Sequence, residues 1–309
     1  MASTATRAAF GEALATLGEK FPNIIVVDAD LAKSTMTLAF AKKFPHRHLD
    51  VGIAEGNLVG IGAGLALAGK IPFICSFACF LAGRFEQIRL SAAYTHANVR
   101  MVGTHAGIGI GEDGYSQMAL EDIALMRSLP NVDILQPADK LETLQAVEFL
   151  VHHDRPAYLR LTRHKLDDVH EASYRFQFGK GDLLREGNEV TLIATGGLVK
   201  PSLEAAQSLL QSGINAAVIN IHSIRPLDEE LILHWAGKTR HVVTLEDHSI
   251  RGGLGGAVAE LLSEEMPVPV KRIGMSGFGE SGTQEALYEK YGFTGAAITA
   301  TVKKFLKAG

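Results

Sequence analysis

The side chain best placed to take part in a reaction is Glu55, in the segment Asp50-Val-Gly-Ile-Ala-Glu55-Gly-Asn57. The pattern predicts an acid at the start of a helix whose other residues are mostly apolar or small. A carboxylate is costly to bury on such a helix unless something pairs with it. An exposed acid would instead be favoured there by the helix dipole. Both interpretations stay open at this point, and the first would give a dry site an acid–base group.

Three other segments bring polar or aromatic residues to the ends of predicted strands. They are Asp28-Ala-Asp30-Leu-Ala-Lys-Ser34, Ser76-Phe77-Ala-Cys-Phe80, and the glycine-rich loop that runs from Thr104-His105 to Glu112-Asp113-Gly114-Tyr-Ser-Gln117. Open α/β sheets bind ligands at the carboxyl ends of their strands. We therefore predict a small-molecule site here, although the two phenylalanines by themselves are more typical of a core.

Other motifs indicate structural roles. Glycines 60, 62 and 64 lie inside a helical pattern, which indicates close helix packing and not a dinucleotide fingerprint. The chain has no P-loop motif, so nucleotide hydrolysis has no support. The run Glu246-Asp247-His248 at a strand end is the exception, because its residue types would also suit a catalytic cluster. Cys75 and Cys79 are expected to be buried thiols, not a disulfide or a metal site.

Strand and helix patterns alternate along the chain and must position these residues. In the first half, buried-strand patterns begin at Ile24, Ile71, Val99, Val132 and Ala157, with helical patterns between them. The alternation predicts parallel sheets with helices on both faces. A polar, poorly periodic stretch interrupts it. We therefore predict an α/β protein with two doubly wound domains, residues 1–170 and 186–309, joined by a linker at 171–185.

Composition excludes several classes of partner. The chain has 309 residues, a net charge of −4 and a pI of about 6.3, so neither nucleic acid nor an anionic membrane surface is expected to bind it. Its first residues lack the apolar stretch of a signal peptide. The longest apolar-rich segment is too short and too rich in glycine to span a bilayer. We therefore expect a cytoplasmic protein.

The order of the motifs resembles the pyrimidine-binding domain of transketolases. The resemblance rests on Asp30-Leu-Ala-x-Ser34, Gly52-Ile-Ala-Glu55, Ser76-Phe77-x-x-Phe80, Thr104-His105 with Gly109-Ile-Gly-Glu112-Asp113-Gly114, and Leu161-Thr-Arg163. Residues from about 185 resemble the smaller transketolase C-terminal domain, which has a mixed sheet and serves mainly in dimer packing. The resemblance therefore implies a structural or interface role for Glu246-Asp247-His248. Transketolases also have a domain that grips the diphosphate and metal through a Gly-Asp-Gly signature, which this sequence lacks. The resemblance therefore implies a split enzyme in which a separate N-terminal subunit supplies that domain.

The resemblance also implies roles for individual residues. Glu55 would hydrogen-bond the pyrimidine ring of thiamine diphosphate and assist removal of the thiazolium proton, with His105 as a second catalytic residue. The other cofactor-binding residues would be Phe77, Phe80, Asp30 and Ser76. The sugar phosphate would be bound by Arg7, Ser34, His105 and Arg163, and a substrate hydroxyl by Asp113. Gln117 stands where the family commonly has a histidine, so it would bind substrate without shuttling a proton.

The expected activity is transfer of a two-carbon ketol unit from a ketose phosphate to an aldose phosphate. Mg2+ or Ca2+ would be ligated by the partner chain, and no metal by this chain. The assembly would contain two copies of each subunit, with self-association across both domains. Two alternatives stay open: a β subunit of a 2-oxo acid dehydrogenase or a deoxyxylulose-phosphate synthase-like enzyme, and a non-catalytic docking or regulatory subunit.

Overall fold

The computed structural model describes residues 3–308, which fold as two α/β domains in chain order. The predicted outer domain limits, residues 1 and 309, lie outside the described residues. Alternating strands and helices build both domains, as the sequence pattern predicts, so the α/β class is confirmed.

Within residues 3–308, the first domain contains eight strands and seven α-helices. Its strands are β1 (Ser3–Ala5), β2 (Ile24–Asp28), β3 (His48–Asp50), β4 (Ile71–Phe77), β5 (Arg100–Thr104), β6 (Asp133–Leu135), β7 (Ala157–Arg160) and β8 (Lys165–Asp167). Its helices are α1 (Thr6–Lys20), α2 (Leu38–Lys43), α3 (Glu55–Leu67), α4 (Ala78–Ala82), α5 (Phe85–Gln87), α6 (Asp122–Arg127) and α7 (Lys140–His152). A π-helical segment, Ile88–Tyr94, continues α5.

In its described part, which ends at residue 308, the second domain contains six strands and five α-helices. Its strands are β9 (Asp182–Arg185), β10 (Val190–Ala194), β11 (Ala216–Asn220), β12 (Ser223–Arg225), β13 (Val242–Ser249) and β14 (Val270–Met275). Its helices are α8 (Val199–Leu210), α9 (Glu229–Thr239), α10 (Leu254–Glu265), α11 (Gln284–Tyr291) and α12 (Gly295–Ala308).

Each domain is built around a sheet that is buried on both faces. The first sheet has the order β12-β6-β7-β5-β4-β2-β3, and the second has the order β14-β13-β10-β11-β9. Val26 and Val27 of β2 enter different hydrophobic clusters, as do Leu192 and Ile193 of β10. Successive strand residues point to opposite faces, so helices must cover both faces of each sheet, as in doubly wound folds.

The structure differs from the sequence prediction mainly at short strands. Residues 182–185, at the end of the predicted linker, form β9, which pairs antiparallel with β11 at the edge of the second sheet. Strand β12 leaves its own domain and pairs antiparallel with β6 of the first. These two strands, Asp-Leu-Leu-Arg and Ser-Ile-Arg, are short and lack the continuous apolar run by which a buried strand is recognised. The domain limits themselves stay a prediction.

The sequence between Phe80 and His96 has one of the helical patterns that separate the predicted strands, but the structure interrupts this helix. It divides into α4, α5 and the π-helical segment, with Gly83 and Arg84 between the first two. Glycine lowers helix stability because it gives the unfolded backbone extra freedom, and such breaks are common sites of helix kinks. Within residues 3–308, every helix is too short or too polar to cross a lipid bilayer.

Buried charges join the two domains and the segment between them. The His170 Nδ1 lies 2.8 Å from an Asp139 oxygen, and its Nε2 lies 3.3 Å from an Asp182 oxygen. The Glu142 carboxylate lies 2.9 Å from His222 Nδ1 and accepts from Asn220 of β11 at 2.8 Å. Burial opposes a charge on His170, but hydrogen bonds to the carboxylates outweigh burial and raise its pKa to about 10.

The His170 pKa predicts how stability depends on pH. Because the folded pKa of about 10 exceeds the ordinary value of 6.5, the stabilisation is complete below pH 6.5 and is lost as pH rises through 10. We expect His170→Gln to lower the free energy of unfolding by about 3 kcal/mol at pH 6, and by less at pH 10. Denaturant unfolding at both pH values measures this, with the exposed His46→Gln as control. Equal losses at both pH values would contradict the assignment.

Candidate active site

The site lies at the carboxyl ends of three adjacent strands. β5, β4 and β2 are neighbours in the first sheet and run parallel, so their ends meet at one edge. Thr104, Phe77 and Asp28 are the last residues of these strands, and the predicted polar segments come directly after them. Helix α3 starts at Glu55, shortly after edge strand β3. The sheet thereby assembles segments that are far apart in sequence.

Glu55 is buried, which decides between the two interpretations left open by the sequence. It is 6% exposed, and the Ser76 hydroxyl donates to its Oε1 at 3.3 Å. Among residues 3–308, no basic side chain forms an ion pair with it and no other hydrogen bond to its carboxylate is formed. A buried carboxylate with one neutral donor has unused acceptor capacity. It is therefore suited to a ligand that brings a donor.

Arg7, His105 and the Ser34 carbonyl form one hydrogen-bonded group. Arg7 Nη1 donates to the Ser34 oxygen at 2.7 Å and lies 3.0 Å from His105 Nε2. The other ring nitrogen of His105 lies 2.8 Å from the Thr104 hydroxyl. Because a guanidinium can only donate, Nε2 must accept, and Nδ1 carries the proton that it donates to Thr104. Burial, followed by the charges of Arg7 and Arg163, lowers the pKa of His105 to about 3.

Arg163 brings a second positive charge to this group. Its Nη1 donates to the Ile110 carbonyl at 2.8 Å and to Asp113 Oδ2 at 3.2 Å. The side chains of Arg163 and Asp113 are 40% and 43% exposed. Burial and the charge of Arg163 lower the pKa of Arg7, which pairs with no carboxylate among residues 3–308. Two arginines whose charges repel each other in this way are suited to bind an anion.

The two predicted aromatic residues form a parallel pair. The ring centroids of Phe77 and Phe80 are 5.4 Å apart with an interplanar angle of 8°. Phe77 also packs on the His105 ring, with centroids 3.8 Å apart. Both phenylalanines are half-buried, so part of each ring remains accessible to a planar ligand. The aromatic pair thus contacts the arginine–histidine group through His105, and Phe77 directly follows Ser76 at the end of β4.

Two predicted residues stand apart from these contacts. Asp30 is exposed, and its backbone N–H donates to Asp50 Oδ1 at 3.0 Å. Gln117 is half-buried on the glycine-rich loop, and its side chain forms no hydrogen bond to the other predicted residues in the part of the chain that the structure describes. Asp30 and His105 both have left-handed backbone, with φ of 59° and 60°. Such conformations often occur at ligand-binding positions.

Sequence reasoning missed the residues that support these loops. The buried Asp28 carboxylate accepts from the Thr35 hydroxyl at 2.7 Å and from the Thr37 hydroxyl at 2.6 Å, and lies 3.0 Å from His48 Nε2. These contacts hold the loop whose Ser34 carbonyl binds Arg7. Two threonines in a polar loop give no recognisable signal in a sequence. Thr104, by contrast, directly precedes His105 and could have been inferred as its partner.

Comparison with known proteins identifies the class. The family model of the transketolase pyrimidine-binding domain matches residues 2–168. The family model of the transketolase C-terminal domain matches residues 179–298. The site therefore lies in a thiamine-diphosphate-type domain. The chain belongs to the transketolase family.

Similar proteins cover nearly the whole chain. A "Putative transketolase C-terminal section" from Methanocaldococcus jannaschii is 42% identical over 97% of this chain and 96% of its own length. A 6-deoxy-6-sulfo-D-fructose transketolase subunit from a Clostridium species is 41% identical over 94% of this chain and 91% of its own length. A solved split-gene transketolase, described as an inactive beta4 tetramer, has a TM-score of 0.92 and 47% identity, and 98% of each chain is covered.

Proposed function

We propose that this chain supplies the catalytic glutamate of a transketolase that transfers a two-carbon ketol unit from a ketose phosphate to an aldose phosphate. The observation that carries the proposal is the buried Glu55 carboxylate, whose hydrogen bonding within residues 3–308 is limited to the Ser76 hydroxyl. The same sheet edge carries an aromatic pair and the hydrogen-bonded group of Arg7 and His105.

The residues around Glu55 fit thiamine diphosphate. Glu55 would accept a hydrogen bond from the pyrimidine ring, which would satisfy the buried carboxylate and place the acid–base group at the cofactor. Phe77 and Phe80 would contact the same ring, Ser76 would orient Glu55, and Asp30 would lie on the thiazolium side. When bound, thiamine diphosphate supplies the electron sink for cleavage beside a ketose carbonyl.

The arginine–histidine group would hold the sugar phosphate. Arg7 and Arg163 would donate to the phosphate oxygens, and that dianion would offset the burial and the Arg163 charge that together lower the pKa of Arg7. His105 is neutral, because its pKa is about 3, so without substrate it acts as a hydrogen-bonding group and not as an acid. Ser34 would complete the phosphate contacts, and Asp113 and Gln117 would bind hydroxyl groups of the sugar.

A partner subunit would complete the site. We place it on the face of α3, where a Cβ at Gly60 or Gly64 would meet open space and where Leu67 is 66% exposed. Nearby, before the helix, Ile53 is 84% exposed. Glu55 begins the same helix, so a subunit docked there would cover the cofactor. That subunit would be an N-terminal transketolase subunit that ligates the diphosphate and Mg2+ or Ca2+.

We further propose that the active assembly contains two copies of each subunit. The tetramer reported for the split-gene relative, described as inactive, supports self-association of this kind of chain. We also propose a cytoplasmic location, which is supported by the unpaired thiols of Cys75 and Cys79, since thiols stay reduced there.

Reconstitution with an N-terminal transketolase subunit tests the proposal. We expect acceptor-dependent cleavage of a ketose phosphate with both subunits, thiamine diphosphate and Mg2+, and no turnover with this chain alone. Product formation from ketose phosphate and from pyruvate should be measured in parallel. Pyruvate decarboxylation without ketol transfer would favour the 2-oxo acid dehydrogenase or deoxyxylulose-phosphate synthase alternative. Full activity of this chain alone would contradict the split site.

A further inference from the structure

The ligand crevice of the second domain is filled by the first domain. In the second sheet, β10 and β13 are neighbours, and the chain continues from β10 to β11 on one side but from β13 to β14 on the other. Open α/β sheets bind ligands at such a point, beyond the carboxyl ends of the strands. Here the residues after β10 contact the first domain: Gly196 lies against Gln136, and Gly197 lies against His164. The neighbouring end of β13 carries Glu246, Asp247 and His248.

Asp247 directs its carboxylate at the glycine-rich loop of the candidate active site. Its Oδ1 accepts from the Ile108 N–H at 2.8 Å, and its Oδ2 accepts from the Gly109 N–H at 3.3 Å and from the Tyr288 hydroxyl at 3.0 Å. Asp247 is 3% exposed. At Gly107, φ is 79° and a Cβ would overlap this carboxylate, so a glycine is required for the loop to approach.

One short helical turn connects the hydrogen bonds of Asp247 with Arg163 of the candidate site. Residues Ile108–Ile110 form a 3₁₀ turn, and the carbonyl of its last residue accepts from Arg163 Nη1 at 2.8 Å. Fixing the first two N–H groups of the turn therefore also fixes the carbonyl that orients Arg163. Hydrogen bonds from backbone N–H groups to an ionised carboxylate are stronger than those between neutral groups.

A second contact from the same domain holds the far side of the loop. The Ser281 hydroxyl donates to the Glu112 carbonyl at 2.5 Å, and the ring centroids of Phe278 and Tyr115 are 4.2 Å apart. The loop is thus held at both ends by the second domain, although its chemical groups belong to the first.

We propose that Asp247 is a positioning residue for substrate binding: the second domain uses its strand-end carboxylate to hold the Gly107–Ile110 segment and, through Ile110, to orient Arg163. The effect on substrate binding rests on the proposed function. The coupling itself, by which Asp247 holds the loop and orients Arg163, does not. This assigns the second domain a role in the active site beyond packing.

The adjacent acid Glu246 provides a matched control. It is equally buried and also accepts two backbone N–H groups, from Leu254 and Gly255, each at 2.8 Å. Those groups belong to α10 of its own domain. In Asp247→Asn, whichever way the amide is turned, one loop N–H loses its acceptor, whereas Glu246→Gln should disturb only α10.

Hydrogen exchange of this chain alone tests the coupling. For Asp247→Asn we expect amide exchange in the Ile108–Gln117 segment to be about tenfold faster, and for Glu246→Gln we expect faster exchange confined to the start of α10. Tyr288→Phe, which removes one donor to Asp247 and keeps the ring, should give a smaller increase in the same loop. The proposal would be overturned if both Asp247→Asn and Tyr288→Phe left amide exchange in the loop at the wild-type rate. It would also be overturned if Glu246→Gln accelerated loop exchange as much as Asp247→Asn does.

Kinetics of the reconstituted enzyme test the consequence. We expect Asp247→Asn to raise the KM for the phosphorylated donor about 10- to 100-fold, with a smaller change in kcat and an unchanged affinity for thiamine diphosphate. Glu246→Gln should keep the wild-type KM. A donor KM that is unchanged in Asp247→Asn would overturn the proposal. If loop exchange responds but the wild-type complex shows no ketol transfer, the proposed function fails and the coupling stands.

Discussion

Glu55→Gln, assembled with an N-terminal transketolase subunit, is expected to turn over about 10²- to 10⁴-fold more slowly than the wild-type complex. Glutamine keeps the size of the side chain and an oxygen for the Ser76 hydroxyl, which donates to Glu55 at 3.3 Å. It loses the negative charge that would draw a proton onto the pyrimidine ring. Steady-state ketol transfer measures the loss, and analytical ultracentrifugation of the same samples should show unchanged assembly.

An exposed acid serves as the control for this substitution. Glu19 pairs with Lys43 at 2.7 Å on the surface, so Glu19→Gln should leave turnover unchanged. If Glu55→Gln turned over as fast as the wild type, the carboxylate would have no part in the chemistry. The non-catalytic docking or regulatory subunit would then be the better interpretation.

The second large effect is expected at Arg7. Arg7→Gln should raise the KM for a phosphorylated ketose about 10- to 100-fold, because it removes a charged donor from a pocket where Arg163 is the other cation. A ketose without phosphate should be a poor donor for both enzymes, and its KM should be the same for the variant and the wild type. Initial rates over a range of each donor separate the two cases.

A surface arginine provides the comparison. Arg175 is exposed and donates only to the carbonyls of Ala172, Ser173 and Tyr174 within the described chain, so Arg175→Gln should leave both KM values unchanged. If Arg7→Gln impaired both donors by the same factor, Arg7 would support His105 and the Ser34 loop without binding phosphate itself.

The candidate site could be predicted from the sequence to the extent that its residues come directly after long strands. Buried runs such as Ile24–Asp28 and Ile71–Phe77 have a strong pattern, and parallel strands place the residues at their carboxyl ends along one edge of the sheet. Local sequence patterns could not predict the hydrogen bonds that join Arg7 to His105 and to the Ser34 carbonyl. They join residues that are 27 and 98 positions apart.

Glu246 and Asp247 show what a local pattern leaves open. As neighbours in one strand they have the same sequence context, and both were interpreted as structural or interface residues. Alternation along β13 sends one carboxylate to α10 and the other to the loop that carries Asp113. Which face meets the other domain depends on how the two sheets dock.

The sequence by itself determined the α/β class, the alternation of the longer elements, and a set of acids, aromatics and arginines after particular strands. The tertiary structure decided that Glu55 is buried, that burial and the charges of two arginines keep His105 neutral, and that the second domain holds the glycine-rich loop of the candidate site. The physical reason is that strand and helix periodicity is local, whereas burial, pKa shifts and interdomain hydrogen bonds depend on residues brought together by the packing of two sheets.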